Sequence, residues 1–248
     1  MRWVLIFYLI IISSLPNTGN ASTADEKRIG SYYIPGLVIN KTEGLFIRLH
    51  NKIITKTMLQ LELIIEPTNR IQQSFKSNQL IGYFPELWQH VPKDKSKVVV
   101  SDNIWLKSVI VFTKKGRLIT KLSDLEGLTI GAVRGYSYGE VENNKDITIQ
   151  YVNREEQNVE KLLSGRIDAI IGDNSSTLSA VKNSKHTQDI VYDLQKPIDI
   201  LEVFYVFQNT SEGIFIRDKV NIAIRALKQQ GIIKLNAKTG ESQIILPN

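Results

Sequence analysis

Cysteine is absent from this chain of 248 residues, and histidine occurs only three times. The absence of cysteine excludes a disulfide framework and a lipid anchor on an N-terminal cysteine. His50, His90 and His186 are scattered, without the close spacing of a metal-binding motif. No Walker loop and no G-x-G-x-x-G motif occurs, so the sequence does not support nucleotide binding. We therefore expect no metal and no cofactor.

Long hydrophobic runs are also missing, except for residues 3–12 near the N-terminus. Arg2 precedes this run, and small or helix-breaking residues follow it as far as Ala21. A membrane anchor is the alternative interpretation, but a bilayer span needs about 20 apolar residues and this run is shorter. The pattern predicts a cleavable signal peptide at residues 1–21. An exported protein without disulfides fits a bacterial periplasm.

The positive charge is not concentrated in one place. The formal net charge is +6, but the basic residues form short clusters rather than a stripe with interleaved aromatics. We therefore expect no nucleic-acid partner. Hydrophobic residues make up 42% of the chain and charged residues 23%, which is typical of a globular protein, and the length allows two modest domains.

Hydrophobic periodicity predicts strands that alternate with helices. Such alternation favours mostly parallel sheets with helices on both faces, an α/β fold. After the last predicted helix we expect only a short tail. The predicted strands cover residues 28–33, 59–65, 79–84, 128–133, 147–152, 167–171 and 200–207, and the predicted helices cover 42–56, 67–77, 155–163, 175–181 and 213–230.

The stretch LSDLEGLTIGAVRGYSYG, residues 122–139, predicts a site that receives an anion. An apolar strand leads through a glycine-rich turn into a polar amphipathic segment, which predicts a helix. Such a turn leaves backbone N–H groups and the helix dipole free to face a ligand. Ligands of open α/β sheets bind where strands end. Phe84, Arg134 and Tyr138 lie at such exits, and we expect them to line the site.

The same turn also matches the G-x-S-x-G nucleophile elbow of hydrolases through Ser137. Asp168 or Asp173 and then His186 follow in the hydrolase order. However, His186 lies in the polar run KNSKHTQD, and no HGGG motif precedes the serine. Ser137 is therefore better explained as a ligand donor or a helix cap, and we expect no catalytic residue.

A family resemblance rests on DLEGLTIGAVRGYSYG and, downstream, KLLSGRIDAIIGD. Together they resemble the second lobe of the bacterial extracellular solute-binding proteins of family 3, the periplasmic components of polar amino-acid ABC transporters. RIGSYYIPG resembles the opening strand of that family, and IAIRALKQQGIIKL its closing helix. The resemblance implies a type II periplasmic-binding fold, with two α/β lobes, a hinge and an interlobe cleft. Lobe 1 would be residues 22–107 plus 205–248, and lobe 2 residues 108–204.

The resemblance also implies roles for individual residues. Ser137 and the N–H groups around it match the place where the family receives a ligand carboxylate. Asp173 matches the acid that holds the ligand's ammonium group, although a helix-capping role is the alternative. Tyr32 and Tyr33 match an aromatic wall over the ligand, and Trp105 matches an aromatic near the hinge.

One departure from the family concerns the clamp for the carboxylate. After the third strand the amino-acid binders usually carry T-x-x-R, whose arginine holds the carboxylate with two hydrogen bonds. This chain reads GYFPELWQHVPKDK there. Lys93 or Lys95 would supply only a point charge, and Arg134 is another candidate cation.

The function implied by the resemblance is capture of a small polar solute, amino-acid-like or another small carboxylate, by closure of the two lobes. The implied partners are the small-molecule ligand and an inner-membrane ABC permease, and we expect a monomer. One alternative is a periplasmic ligand-sensing subunit that acts on a membrane receptor. The other is a dehydratase-like enzyme on the same fold, with Glu86 or Asp173 as acid or base.

Overall fold

The structure is a computed structural model that describes residues 27–92 and 94–246. The predicted signal peptide and Lys93 lie outside the described residues. The strands of the described part are β1 Lys27–Ser31, β2 Leu61–Ile65, β3 Gly82–Leu87, β4 Val98–Val100, β5 Trp105–Lys114, β6 Thr129–Val133, β7 Thr148–Val152, β8 Ala169–Gly172, β9 Ile190–Val191, β10 Asp199–Gln208, β11 Ile233–Asn236 and β12 Glu241–Ile244. The helices are α1 Leu45–Thr57, α2 Thr68–Lys76, α3 Glu155–Leu163, α4 Ser176–Asn183 and α5 Ser211–Gln229.

The predicted alternation of strands and helices is confirmed, but two local predictions are wrong. The turn after β6 does not lead into an α-helix; it leads into a short 3-10 helix, Gly139–Asn143. The C-terminal tail is a β-hairpin, because β11 and β12 pair antiparallel. Within the described ranges, none of the helices is both long and apolar enough to span a membrane.

One curled sheet runs through the molecule in the order β2-β1-β3-β10-β5-β8-β6-β7. Parallel strands form each end of it: β1 pairs with β2 and β3, and β6 pairs with β7 and β8. The two strands in the middle, β5 and β10, are antiparallel to each other and to their outer neighbours β8 and β3. We call β5 and β10 the hinge strands because they connect the two parallel halves.

Each half of the sheet has its own hydrophobic core. Residues of the first core include Ile29, Phe84 and Tyr205, and residues of the second include Val109 and Leu201. Along the hinge strands the packing therefore changes from one core to the other within a few residues. This is a two-lobed arrangement, although the lobe boundaries given above stay a prediction.

Helix packing follows the predicted apolar faces. In α1, Phe46, Leu49 and Ile53 are buried, and α5 buries a similar stripe that includes Ile216 and Val220. The apolar spacing of about three to four residues puts these side chains on one helix face, and each buried side chain of this size contributes roughly 1.5–3 kcal/mol relative to exposure. The two helices pack against the same face of the first half-sheet.

His50 on α1 makes the first core sensitive to acid. Its ring stacks on Phe84 with centroids 4.6 Å apart, and its Nδ1 lies 3.3 Å from the hydroxyl oxygen of Tyr205. Burial lowers the pKa of His50 from 6.5 to about 4. The unfolded chain therefore takes up this proton first. The contribution of neutral His50 to the free energy of unfolding is therefore complete above about pH 6.5 and is lost as the pH drops towards 4.

We expect His50→Gln to flatten the acid limb of the stability profile. The pKa difference of His50 corresponds to roughly 3 kcal/mol between pH 7 and pH 4, which the variant would not lose. Urea unfolding at a series of pH values measures this, and comparison with wild type cancels the titration of carboxylates. The exposed His186→Gln is the control and should keep the wild-type profile. An unchanged profile for His50→Gln would contradict the assignment.

Candidate functional site

The carboxyl ends of the parallel strands in each half meet at the interlobe cleft. On the lobe 2 side, β6 ends at Val133 and β8 at Gly172, and the two strands are parallel neighbours. The polar turn, which we define as residues 134–139, therefore lies beside Asp173. On the lobe 1 side, Tyr32 follows β1 and Glu86 is the penultimate residue of β3.

The polar turn is fixed from below by Tyr138. Its hydroxyl oxygen accepts from the Val133 N–H at 2.8 Å and the hydroxyl lies 3.3 Å from the Val133 carbonyl. Gly135 and Gly139 both have positive φ, of 84° and 64°, which is the left-handed region that favours glycine. Tyr138 has 0% exposure, so its ring is a packing group and presents no surface to a ligand.

Both hinge strands also hold the polar turn. The ammonium group of Lys107 on β5 donates to the Ser137 carbonyl at 2.9 Å. The N–H of Glu140 donates to Asp199 Oδ2 on β10 at 3.1 Å. A side chain at Gly139 would collide with this same Asp199 carboxylate. The turn is thus attached to the two strands that join the lobes.

Among the described residues, Lys107 is a cation at the candidate site that the sequence interpretation missed. Desolvation lowers its pKa, while the nearby carboxylates of Asp173, Glu155 and Glu142 raise it. Its Nζ also lies 5.0 Å from the centroid of the Tyr136 ring. The signal in the sequence was a charged lysine near the start of β5, a mostly apolar strand. Arg134, the predicted candidate, is exposed and lies over Tyr151 instead, with its guanidinium carbon 5.9 Å from the ring centroid.

The anion-receiving groups of the turn are already bonded within the chain. The Ser137 hydroxyl donates to Glu142 Oε2 at 3.1 Å, and the Tyr138 N–H donates to the same oxygen at 3.0 Å. Ser137 is almost fully buried, whereas Glu142 is exposed. A carboxylate therefore does sit at the predicted position, but it belongs to the protein.

Asp173 caps helix α4. Its Oδ1 accepts from the backbone N–H of Ser175 at 2.9 Å and of Ser176 at 2.7 Å. The capping alternative for Asp173 is thus present in the structure, while its predicted ligand contact stays a prediction. The side chain remains only partly buried, and its negative charge raises the pKa of Lys107.

Glu155 is a buried acid beside Asp173. It begins α3, and its Oε1 accepts from the Thr177 hydroxyl at 2.9 Å. Its Oε2 has no hydrogen-bond partner among the described residues. Burial raises the pKa of Glu155 to about 7; Asp173 also raises it, whereas the hydrogen bonds from Thr177 and Ser176 and the charge of Lys107 lower it.

The lobe 1 side contributes aromatic groups and a second buried acid. The Tyr32 hydroxyl donates to the Pro85 carbonyl at 2.5 Å, and Tyr33 is 63% exposed. Phe84 has no exposed surface, because its ring is stacked in the first core between His50 and Tyr205. Phe84 therefore presents no surface with which it could take the predicted lining role in the cleft.

Glu86 and His90 form a pair at the end of β3. Glu86 is 3% exposed, and its Oε1 lies 3.4 Å from His90 Nδ1. The hydrogen bond with Glu86 raises the pKa of His90, desolvation lowers it, and Glu142 and Lys107 act on it from across the cleft. The two edges are therefore close enough to influence each other electrostatically.

The hydrolase alternative finds no support in the geometry. The Ser137 hydroxyl is bonded to Glu142, whereas His186 is exposed and pairs with Asp189 at 3.3 Å on a different segment. The side-chain distances of a serine–histidine pair are absent from the described part of the chain. No group of His, Cys, Asp and Glu suited to a metal ion occurs among the described residues either.

The two half-sheets, the pair of crossing strands and the cleft define a type II periplasmic-binding fold. A sensor domain of a histidine kinase described as similar to periplasmic binding proteins superposes with a TM-score of 0.58, at 13% identity over 84% of this chain and 92% of that one. The substrate-binding protein of an amino acid ABC transporter gives a TM-score of 0.53, at 20% identity, over 83% of this chain and 94% of the other. The predicted fold is confirmed.

Sequence comparison points in the same direction as the fold. The chain is 26% identical over 129 residues to the "probable amino-acid-binding protein YxeM" of Bacillus subtilis (strain 168), covering 50% of this chain and 48% of that protein. The match thus spans about half the length of the curated relative. No protein-family model matches the chain. The resemblance to extracellular solute-binding proteins is confirmed at the level of these relatives, and the names of the YxeM protein and of the ABC transporter component describe binding proteins.

The capping geometry predicts how Asp173 contributes to stability. We expect Asp173→Ala to lower the free energy of unfolding by about 1 kcal/mol, because the N–H groups of Ser175 and Ser176, at the start of α4, lose their acceptor. Asp173→Asn keeps an oxygen at this position and should cost only a few tenths of that. Urea unfolding without ligand measures both. Asp146→Ala, an exposed aspartate, is the control; equal losses for the Ala and Asn variants would exclude a capping role.

Proposed function

We propose that this protein captures a small, amino-acid-like polar solute between its two lobes and delivers it to an ABC transporter. The observation that carries the proposal is the polar cluster at the cleft: the Ser137 turn, Lys107 and Asp173 on one side face Glu86 and His90 on the other. Charged groups gathered at the strand ends of two lobes are suited to binding a polar ligand on both sides.

The mechanism is lobe closure without any bond being broken. A ligand that contacts both edges binds the closed arrangement better than the open one, and its binding energy shifts the population accordingly. The hinge strands would take up the movement, since they are the sheet connection between the two halves. In this proposal Tyr32 and Tyr33 form the wall on lobe 1, and the Ser137 turn, Arg134 and Asp173 form the polar side.

The proposed setting follows from the same reasoning. Residues 1–21 would direct export and be removed, and the mature protein would act as a monomer in the periplasm or outside the cell. The partners would be the solute and the permease. The names of the relatives support a role as the amino-acid-binding component of an ABC transporter. Because the sequence match covers only about half of the curated relative, the ligand and the partner are proposals.

Ligand sensing is the second candidate, because a histidine kinase sensor domain is among the similar structures. In that case the closed state would be read by a membrane receptor rather than by a permease. A dehydratase-like enzyme is less well supported, because both candidate acids already have partners within the chain. Glu86 is buried and accepts from the N–H of the next residue, Leu87, at 2.9 Å, and Asp173 caps a helix.

Native mass spectrometry of freshly purified protein tests the proposed function directly. A solute that co-purifies would be identified by its mass, and adding it back to stripped protein should give saturable binding without a product. Small-angle scattering should then show a smaller radius of gyration, as closure requires. A solute that is chemically converted would indicate an enzyme, and an absence of any bound or bindable solute would contradict the proposal.

Tyr33 allows a quantitative test of the aromatic wall. We expect Tyr33→Ala to weaken binding of the co-purified solute by roughly five- to tenfold, since an exposed aromatic contact to a polar or cationic group contributes about 1 kcal/mol. Titration calorimetry measures the affinity. Phe215 on α5 is similarly exposed, at 53% against 63%, and Phe215→Ala is the matched control. Unchanged affinity in Tyr33→Ala would remove Tyr33 from the site.

A further inference from the structure

Glu142 occupies the corner of the cleft where a ligand carboxylate would bind. One of its oxygens, Oε2, accepts both the Tyr138 N–H at 3.0 Å and the Ser137 hydroxyl at 3.1 Å. These donors are the ones that the glycine-rich turn supplies for an anion. A ligand carboxylate placed there has to displace a protein carboxylate and lose those two bonds to it.

The charges around this corner are mostly negative. Glu142, Asp173 and Glu155 all act on Lys107, and Glu142 also acts on His90, whose partner is the buried Glu86. Among the described residues, the carboxyl groups of Glu142, Asp173, Glu155 and Glu86 thus gather around Lys107 and His90, with Arg134 exposed and turned towards Tyr151. An incoming anion would meet the negative charges of Glu142 and Asp173, which disfavours it in a partly desolvated site.

A second, independent observation is the unpartnered oxygen of Glu155. This side chain is 7% exposed, and its Oε2 has no hydrogen-bond partner among the described residues. A buried acceptor without a donor is costly, and a donor on a ligand would relieve that cost. Glu155 lies within electrostatic reach of Lys107, Tyr136 and Asp173, the groups of the polar side of the cleft.

The aromatic groups of the cleft also suit a cation. Lys107 Nζ lies 5.0 Å from the ring centroid of Tyr136, so an ammonium group already sits against an aromatic ring of the cleft here. The half-exposed Tyr136 and the exposed Tyr33 offer further ring surface. No arginine of the kind that clamps a carboxylate follows β3 in the sequence.

From these contacts we propose that the cleft takes an organic amine that carries no carboxylate, and that Glu142 is the residue that excludes the carboxylate. The proposal rests on the proposed solute-binding function and narrows its ligand. Ser137 then acts as a positioning residue, because its hydroxyl holds Glu142 in the corner. Specificity arises from the repulsive element as much as from attractive contacts.

Pairs of probes that differ only by the carboxylate test this proposal: L-lysine and cadaverine, L-arginine and agmatine, L-histidine and histamine. Titration calorimetry with stripped protein should show that wild type binds the amine of a pair at least about tenfold more tightly than the parent amino acid. In Glu142→Gln, which keeps the shape and removes the charge, the preference should shrink by about tenfold or reverse.

Glu140→Gln is the matched control, because Glu140 is an exposed acid on the same short 3-10 helix. It should keep the wild-type preference, and thermal unfolding should show that both variants fold. Tighter binding of the parent amino acids by wild type would overturn the inference and leave the proposed function intact. An amine preference that Glu142→Gln does not change would overturn the role of Glu142. Failure to bind these probes, with another solute co-purifying, would overturn the inference alone; no bound solute of any kind would overturn both.

Discussion

The antiparallel pairing of β5 with β10 is the constraint on which the rest of the molecule depends. Residues 105–109 pair with residues 199–203 in an unbroken register, and on either side each lobe packs a core of its own. Because the sheet continues through this pair, the positions of the two lobes relative to each other follow from it. A movement of the lobes has to be absorbed here or in the loops beside it.

The same pairing also sets the chemistry of the cleft. Lys107 pairs with Leu201, and this register turns the lysine side chain towards the polar turn while Leu201 enters the second core. Paired side chains lie on the same face of the sheet and successive side chains of a strand on opposite faces, so a slip of β5 by one residue would turn Lys107 away from the polar turn. Asp199, at the other end of the ladder, holds the turn through the Glu140 N–H. Hinge and binding turn are therefore one mechanical unit.

Most of the fold could be predicted from the sequence because its signals are local. Apolar spacing identified α1 and α5 with the residues that they bury, and apolar runs identified β6 and β8. The short 3-10 helix after the polar turn could not be predicted in the same way. The tethers to Lys107 and Asp199, which are distant in sequence, hold the turn, and β7 begins only a few residues later. There the tertiary contacts override a pattern that favours a helix.

The residues of the candidate site also divide into those that local sequence signals indicate and those that depend on contacts distant in sequence. Ser137, Asp173, Tyr32 and Tyr33 could be proposed because each lies at the end of a predicted strand or shortly after it, and strand exits are recognisable in sequence; their contacts with a ligand stay a prediction. Phe84 also follows the apolar part of its strand, but whether a ring at that position faces the cleft or the core depends on α1 and β10, which supply His50 and Tyr205. Lys107 became part of the site only through the pairing of distant strands. Sequence periodicity carries no information on that register.

The charge of the cleft depends on these long-range contacts more than on the motif itself. A glycine-rich turn after a strand supplies hydrogen-bond donors, and donors alone favour an anion. Here Glu142 accepts hydrogen bonds from donors that are four and five residues away in sequence. Asp173 brings further negative charge from the start of one helix, and Glu155 a buried carboxyl group from the start of another. The field that a ligand meets is the sum of these groups and of Lys107, whose positive charge on the hinge strand β5 opposes theirs. The same local motif can therefore present an anion-binding corner in one chain and a cation-binding one in another, according to which side chains the register brings beside it.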